Sequence, residues 1–260
     1  MRRAAVGLAV ALLLSPACKR QHYAADALPE LPYPTCEGPT ETVYESDLLS
    51  GALDTRMPIV EHFKLEKRGC FFAAVTRQEW PVQIADVEII YDQQMKPLRA
   101  WRRHTAPRSQ RPDGGADIKR YELRTNPVGI KHRSPAGVID LESLKADRVP
   151  EVVVGAGRGI VGVWLQKAKL AVGEKTKTPA IDVREVEKID LGALERQPDM
   201  QVAALGRVRV YTFFGKETVF ADDDDRVVGD LAGLVDARLA KAKLPPPMPT
   251  FTPIDPQKTP

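Results

Sequence analysis

The chain has 260 residues, 43% of them hydrophobic, with three cysteines and a net charge of +3 that falls to +1 without Arg2 and Arg3. That apolar content suffices for the core of one domain of about 200 residues, and the near-neutral balance argues against nucleic-acid binding through overall charge. No stretch beyond the N-terminal leader is apolar for long enough to make a transmembrane helix.

Residues 1–17 combine Arg2 and Arg3, an apolar run from Ala4 to Leu14, and small residues before Cys18. A charged start, a short apolar core and a small-residue cleavage site are the pattern of a secretory signal peptide. The run Leu14-Ser15-Pro16-Ala17-Cys18 also resembles the lipobox of bacterial lipoproteins, although Ser15 and Pro16 depart from that family's usual residues. The resemblance implies that Cys18 becomes the first mature residue and carries lipid (diacylglycerol and palmitate), so that the protein meets the membrane through its N-terminus. Lys19 stands where the family places an inner-membrane retention aspartate, which implies the outer membrane. Cleavage after Ala17 by ordinary signal peptidase, giving a secreted or periplasmic soluble protein, is the alternative. With Cys18 lipidated, Cys36 and Cys70 remain as a pair that an oxidising compartment joins. Such a disulfide is worth roughly 3–4 kcal/mol on loop-closure grounds.

Residues 18–40 are rich in proline and polar side chains and read as a tether. A single domain over 41–244 follows, and the proline-dense 245–260 reads as a disordered tail. Within the domain, Cys70–Arg77, Val82–Tyr91, Pro97–His104, Ile118–Thr125 and Val128–Arg133 read as strands. A phase slip at Ala85–Asp86 predicts a bulge, and Thr105–Ala116 an exposed loop. Further on, Glu151–Val154 reads as a short strand, Arg158–Val172 as a helix with Gly162, Gln166 and Lys169 on its polar face, and Ile181–Ile189 as a strand. Arg207–Phe214 and Glu217–Ala221 flank Gly215-Lys216 as a hairpin. The apolar stripe of Val227–Lys243 predicts a last helix, which the run Asp222–Asp225 would cap. The fold class expected is α+β, a mostly antiparallel sheet with a few covering helices.

Gly157, Gly159 and Gly162 spell G-x-G-x-x-G between a strand and a helix, and Asp182 follows 20 residues beyond the last of them. That is the spacing of a dinucleotide turn, whose glycines admit phosphates to a helix N-terminus. Two features oppose it: Asp182 reads as starting a strand rather than ending one, and a hairpin rather than a second crossover follows. The plainer reading is a glycine turn with close helix–sheet contact, so no cofactor is expected.

Trp101, Arg102, Arg103, His104, Arg108 and Arg111 form the densest basic cluster, able to meet lipid phosphate or anionic glycan. Alternation along a strand divides it, with Arg102 and His104 on one face and Trp101 and Arg103 on the other. Asp222–Asp225 lacks the spacing of a calcium loop, so no metal site is expected. His22, His62, His104 and His132 form no metalloprotease motif, no nucleophile elbow is present, and His104 and His132 approach only if their strands are neighbours. The leading functional expectation is therefore a lipid-anchored envelope protein with a non-catalytic binding or structural role, its partner an envelope protein, lipid phosphate or glycan. The alternatives are a nucleotide-dependent enzyme at Gly157–Gly162 and an anion- or glycan-binding module at the basic loop.

Overall fold

Seven consecutive residues of one helix, Gly159–Leu165, are buried, and the rest of the chain is arranged to bury them. The computed structural model describes residues 37–50, 59–80, 83–105, 115–145, 147–155, 157–184, 188–203 and 205–239. The leader, Cys18, Cys36, most of the tether, the proline-rich tail, Arg108 and Arg111 lie outside them.

The first eight strands are β1 (Thr40–Ser50), β2 (Val60–Arg68), β3 (Phe71–Trp80), β4 (Gln83–Tyr91), β5 (Pro97–Thr105), β6 (Asp117–Glu122), β7 (Val128–Arg133) and β8 (Ile139–Leu144). After β9 (Val152–Val154) comes the helix α1 (Arg158–Ala168). Then follow β10 (Lys175–Asp182), β11 (Lys188–Val202), β12 (Gly206–Phe213), β13 (Glu217–Ala221), β14 (Val227–Asp230) and β15 (Leu234–Asp236). All fifteen strands join in one sheet, in the order β8 to β1 and then β15 down to β9. Every pairing is antiparallel except β9 with β10, which α1 connects. The last strand thus closes against the first: Leu48, Leu49 and Ser50 of β1 pair with Asp236, Val235 and Leu234 of β15.

The sheet bends around α1, which packs against β2, β3, β9 and β14, and edge strand β9 reaches β5. One apolar cluster joins Phe63, Ile89, Tyr121 and Ile130 of the first half to Ile160 and Val163 of the helix. A second joins Val161, Trp164 and Leu165 to Leu194, Tyr211, Phe213 and Val219. A helix apolar on all sides belongs in a core, and this one is rich in glycine and β-branched residues of middling helix propensity. Tertiary packing, not local preference, makes Arg158–Ala168 helical.

These findings correct several expectations. The chain is not an α+β fold with covering helices: among the described residues there is one short helix, and it lies inside the sheet. Over the described part of the expected Val227–Lys243 helix, up to Leu239, the chain instead forms β14 and β15, where all four residues of β14 are buried and Gly233 turns the chain at a φ of 97°. Its stripe was ambiguous because Leu231 and Leu239 are exposed, while Val227, Val228 and Leu234 point into separate apolar clusters. The Asp222–Asp225 run caps no helix. Asp222 Oδ1 accepts the N–H groups of Asp224 and Arg226 in a turn between β13 and β14. No bulge occurs at Ala85–Asp86, since β3 and β4 stay in register from Phe72↔Tyr91 to Trp80↔Gln83. The slip arises because Ala85–Tyr91 are buried on both faces. Ile181–Ile189 is not one strand: β10 ends at Asp182 and β11 begins at Lys188. Gly162 lies on no polar face; it is buried.

The helix glycines serve close packing. A Cβ on Gly159 would stand 2.1 Å from the Phe63 ring, and one on Gly162 would stand 3.1 Å from Tyr44 Oη. Gly159→Ala gains about 1 kcal/mol of helix propensity but overpacks a filled core, giving a net loss of about 1–3 kcal/mol. Gly162→Ala, with the gentler contact, costs less. Urea unfolding of both variants tests this, and a larger loss at Gly162 would contradict the packing account.

Candidate functional site

Four N-terminal N–H groups of any helix lack partners within it, and burial denies those of α1 water. Gly157, the residue before the helix, has no side chain to cap it. The cap comes from β2. Glu61, fully buried, accepts from the backbone N–H of Arg158 at 2.9 Å and of Gly159 at 2.7 Å. Gln78 of β3 donates to the same carboxyl group at 2.8 Å. Burial pushes the Glu61 carboxyl up from its ordinary value, against the pull of those three donors.

The helix start therefore already has its acceptor, and it comes from the protein. This bears directly on the glycine motif. Gly159 and Gly162 are packed against Phe63 and Tyr44, with no approach for a pyrophosphate. One expectation about Asp182 reverses: it ends β10 rather than starting a strand, so β9–α1–β10 is a parallel crossover of the kind a dinucleotide site uses. Its carboxylate, however, is held by Arg184, which donates its backbone N–H and Nε to Oδ1 and Nη2 to Oδ2.

Gly157 and Asp182 do share a cavity. A space of about 700 Å³ opens at the helix start and the ends of β9 and β10, the crevice where parallel strands place ligands. Part of its lining is apolar, with Ile59, Trp80, Ala85 and Leu234. Part is charged: Arg158, Asp182, Arg184, Lys216, Glu217 and Asp230. All of these but Lys216 form an alternating chain. Arg158 gives Nε to Asp230 at 2.8 Å and Nη1 to Glu217 at 2.7 Å, and Arg184 Nη2 donates to the other oxygen of Glu217 at 3.1 Å. Burial alone would raise the Glu217 carboxyl, but hydrogen bonds and charge from Arg158 and Arg184 outweigh it and hold it below its ordinary value. Trp80 is 43% exposed at this cavity, whereas Trp101 and Trp164 are buried.

The basic cluster is dispersed. Arg102 is buried, donating Nη1 to the carbonyls of Val183 and Arg184 at 2.6 and 2.7 Å and Nη2 to Asp117 at 3.3 Å. It clamps β5 to the end of β10 and meets no outside anion. Trp101 is buried, Arg103 is exposed and His104 lines the cavity. His104 pairs across the sheet with Asp117, whose carboxylate meets His132 Nε2 at 2.5 Å, so an acid stands between the two histidines. Cys70, in the β2–β3 turn, is disulfide-bonded; Cys36 lies outside the described residues. Among the described residues no cluster of side chains fits a metal ion.

Glu61, Arg158, Arg184, Lys216, Glu217 and Asp230 were absent from the sequence-derived candidates. Arg158 lies inside the glycine motif, between Gly157 and Gly159, and Arg184 stands two residues beyond Asp182. Glu61 carries no local signal, because its partners lie 97 and 98 residues away.

No protein-family model matches the chain, and no curated protein matches it. Among solved structures it is similar to a DUF1089 family protein from Pseudomonas aeruginosa, at 11% identity and a TM-score of 0.38, covering 81% of this chain and 96% of that one. A likeness that distant carries no functional argument.

Two outcomes follow for the charged groups. Glu61→Ala leaves two helix N–H groups and Gln78 without an acceptor and costs about 2–5 kcal/mol in chemical unfolding. Glu217 has a depressed folded value, so its stabilisation is present above the ordinary value of 4.5 and is lost as pH falls through the lower folded one. Glu217→Gln should therefore be less stable at pH 7 and lose less on acidification. An unchanged acid-side slope would show that the pairing contributes nothing. Glu61, pushed up, acts with opposite sign, its contribution falling as pH rises through the folded value.

Proposed function

We propose that the chain is a lipid-anchored protein of the cell envelope, held in the outer membrane through Cys18, that binds a small organic ligand without transforming it. The leader and its lipobox-like end support the anchor. The observation that carries the binding role is the cavity of about 700 Å³, lined by both apolar and charged side chains, within the size range of small-molecule sites. Its carboxylates are engaged by arginines, an arrangement that holds shape and charge in place rather than supplying a free base. Cys36 is the proposed disulfide partner of Cys70, tying the tether to the β2–β3 turn. No described helix is long and apolar enough to cross a membrane.

Intact mass of the protein from its native membrane tests the first half. The expected chain begins at Cys18 and carries diacylglycerol mass that Cys18→Ser abolishes, whereas a chain beginning at Met1 contradicts the reading. Native mass spectrometry tests the second half: a co-purified small molecule is expected, and Ala232→Trp, at an exposed residue lining the cavity, should reduce it several-fold. Equal retention in that variant would place the ligand elsewhere.

A further inference from the structure

A hydrogen-bond account of the cavity shows what kind of ligand it lacks. Asp182, Glu217 and Asp230 have both carboxylate oxygens occupied. Arg184 engages the two of Asp182, Arg184 and Arg158 divide those of Glu217, and Asp230 receives Arg158 Nε on one oxygen and the N–H of Leu234 on the other. The donors are not used up. Among the described residues the Arg158 guanidinium donates through Nε and Nη1 only, and that of Arg184 through Nε and Nη2 only. The ammonium of Lys216, exposed in the β12–β13 turn, has no hydrogen bond or ion pair among the described residues, its backbone N–H alone donating to the Phe213 carbonyl. A guanidinium has five N–H donors and an ammonium three, with no acceptor on either. The cavity thus presents cationic N–H groups without a protein acceptor among the described residues, beside acids whose two oxygens each already accept a hydrogen bond.

The same cavity is lined by Ile59, Leu234 and the half-exposed indole of Trp80. We infer that the ligand is an amphipathic organic anion: an oxyanion headgroup received by Arg184 Nη1 and Lys216 Nζ, and an apolar body laid against Ile59, Leu234 and Trp80. Charge-assisted hydrogen bonds to an oxyanion are the strong ones, and the apolar lining supplies the rest of the affinity. An inorganic anion would leave the apolar lining wet, and a cation would meet Lys216 beside carboxylates already paired with Arg158 and Arg184.

This inference rests on the cavity being a binding site, and one titration separates the two claims. The purified full chain, free of detergent, is titrated with octanoate, octanol and octylammonium, three probes with one tail and different heads. Binding is followed by calorimetry and by the fluorescence of Trp80, the exposed indole of the described residues. Octanoate is expected to bind about tenfold or more tighter than octanol, the yield of one charge-assisted contact, with octylammonium weakest. Lys216→Met should erase most of the octanoate advantage while leaving octanol unchanged; its position in an exposed turn spares the fold. Trp80→Phe should keep the heat of binding and lose the optical signal. If octanol or octylammonium binds as tightly as octanoate, or Lys216→Met leaves octanoate untouched, the anionic headgroup is wrong and the binding cavity stands. If none of the three binds, the cavity reading itself falls, and this inference with it.

Discussion

A helix buried on every side has first-turn N–H groups that water cannot reach, and Glu61 of β2 supplies their acceptor. That contact places α1 along the inner face of β2 and β3, with Gly159 against Phe63. It also sets where Arg158 emerges, because the residue whose N–H meets Glu61 sends its side chain to Glu217 and Asp230. The cavity's charged lining is thus an extension of the helix cap. Leaving such donors unsatisfied inside a protein costs about 1–3 kcal/mol each, a large share of a domain's usual margin of about 5–15 kcal/mol.

The same contact explains why a dinucleotide-like sequence is not a dinucleotide site. The crossover β9–α1–β10 has the expected order and direction, and the acidic residue stands at a strand end. The positive end of the helix is nevertheless taken by an internal carboxyl group, and the glycines are spent on packing. What remains of the motif's geometry is the crevice beyond the strand ends, lined by Gly157 and Asp182 and re-equipped with arginines. Arg102 completes the frame from the other side by gripping the carbonyls just after β10.

Much of the antiparallel first half was legible because period-2 patterning and turn residues act locally. β3, β5, β7 and the hairpin around Gly215-Lys216 follow from such signals, as does α1 from its spacing. β1, β2 and β8 were overlooked: they carry many charged residues, and a glutamate such as Glu61 looks like solvent-facing punctuation until its helix partner is known. The stripe over Val227–Lys243 misled for the opposite reason. Apolar residues at helical spacing also suit two short strands buried on both faces, and only the neighbours β1 and β13 decide between them.

By itself the sequence determined strands such as β3, β5 and β7 and the hairpin at Gly215-Lys216, since these depend on residues adjacent or a few positions apart. It also marked the glycine run as a tight place in the structure. The closure of β15 on β1, the burial of α1 within a single sheet, and the meeting of Glu61, Arg158, Arg184 and Glu217 were decided only by tertiary structure. Their partners lie up to 98 residues apart, and the energy of a buried charge depends on what surrounds it in space rather than along the chain.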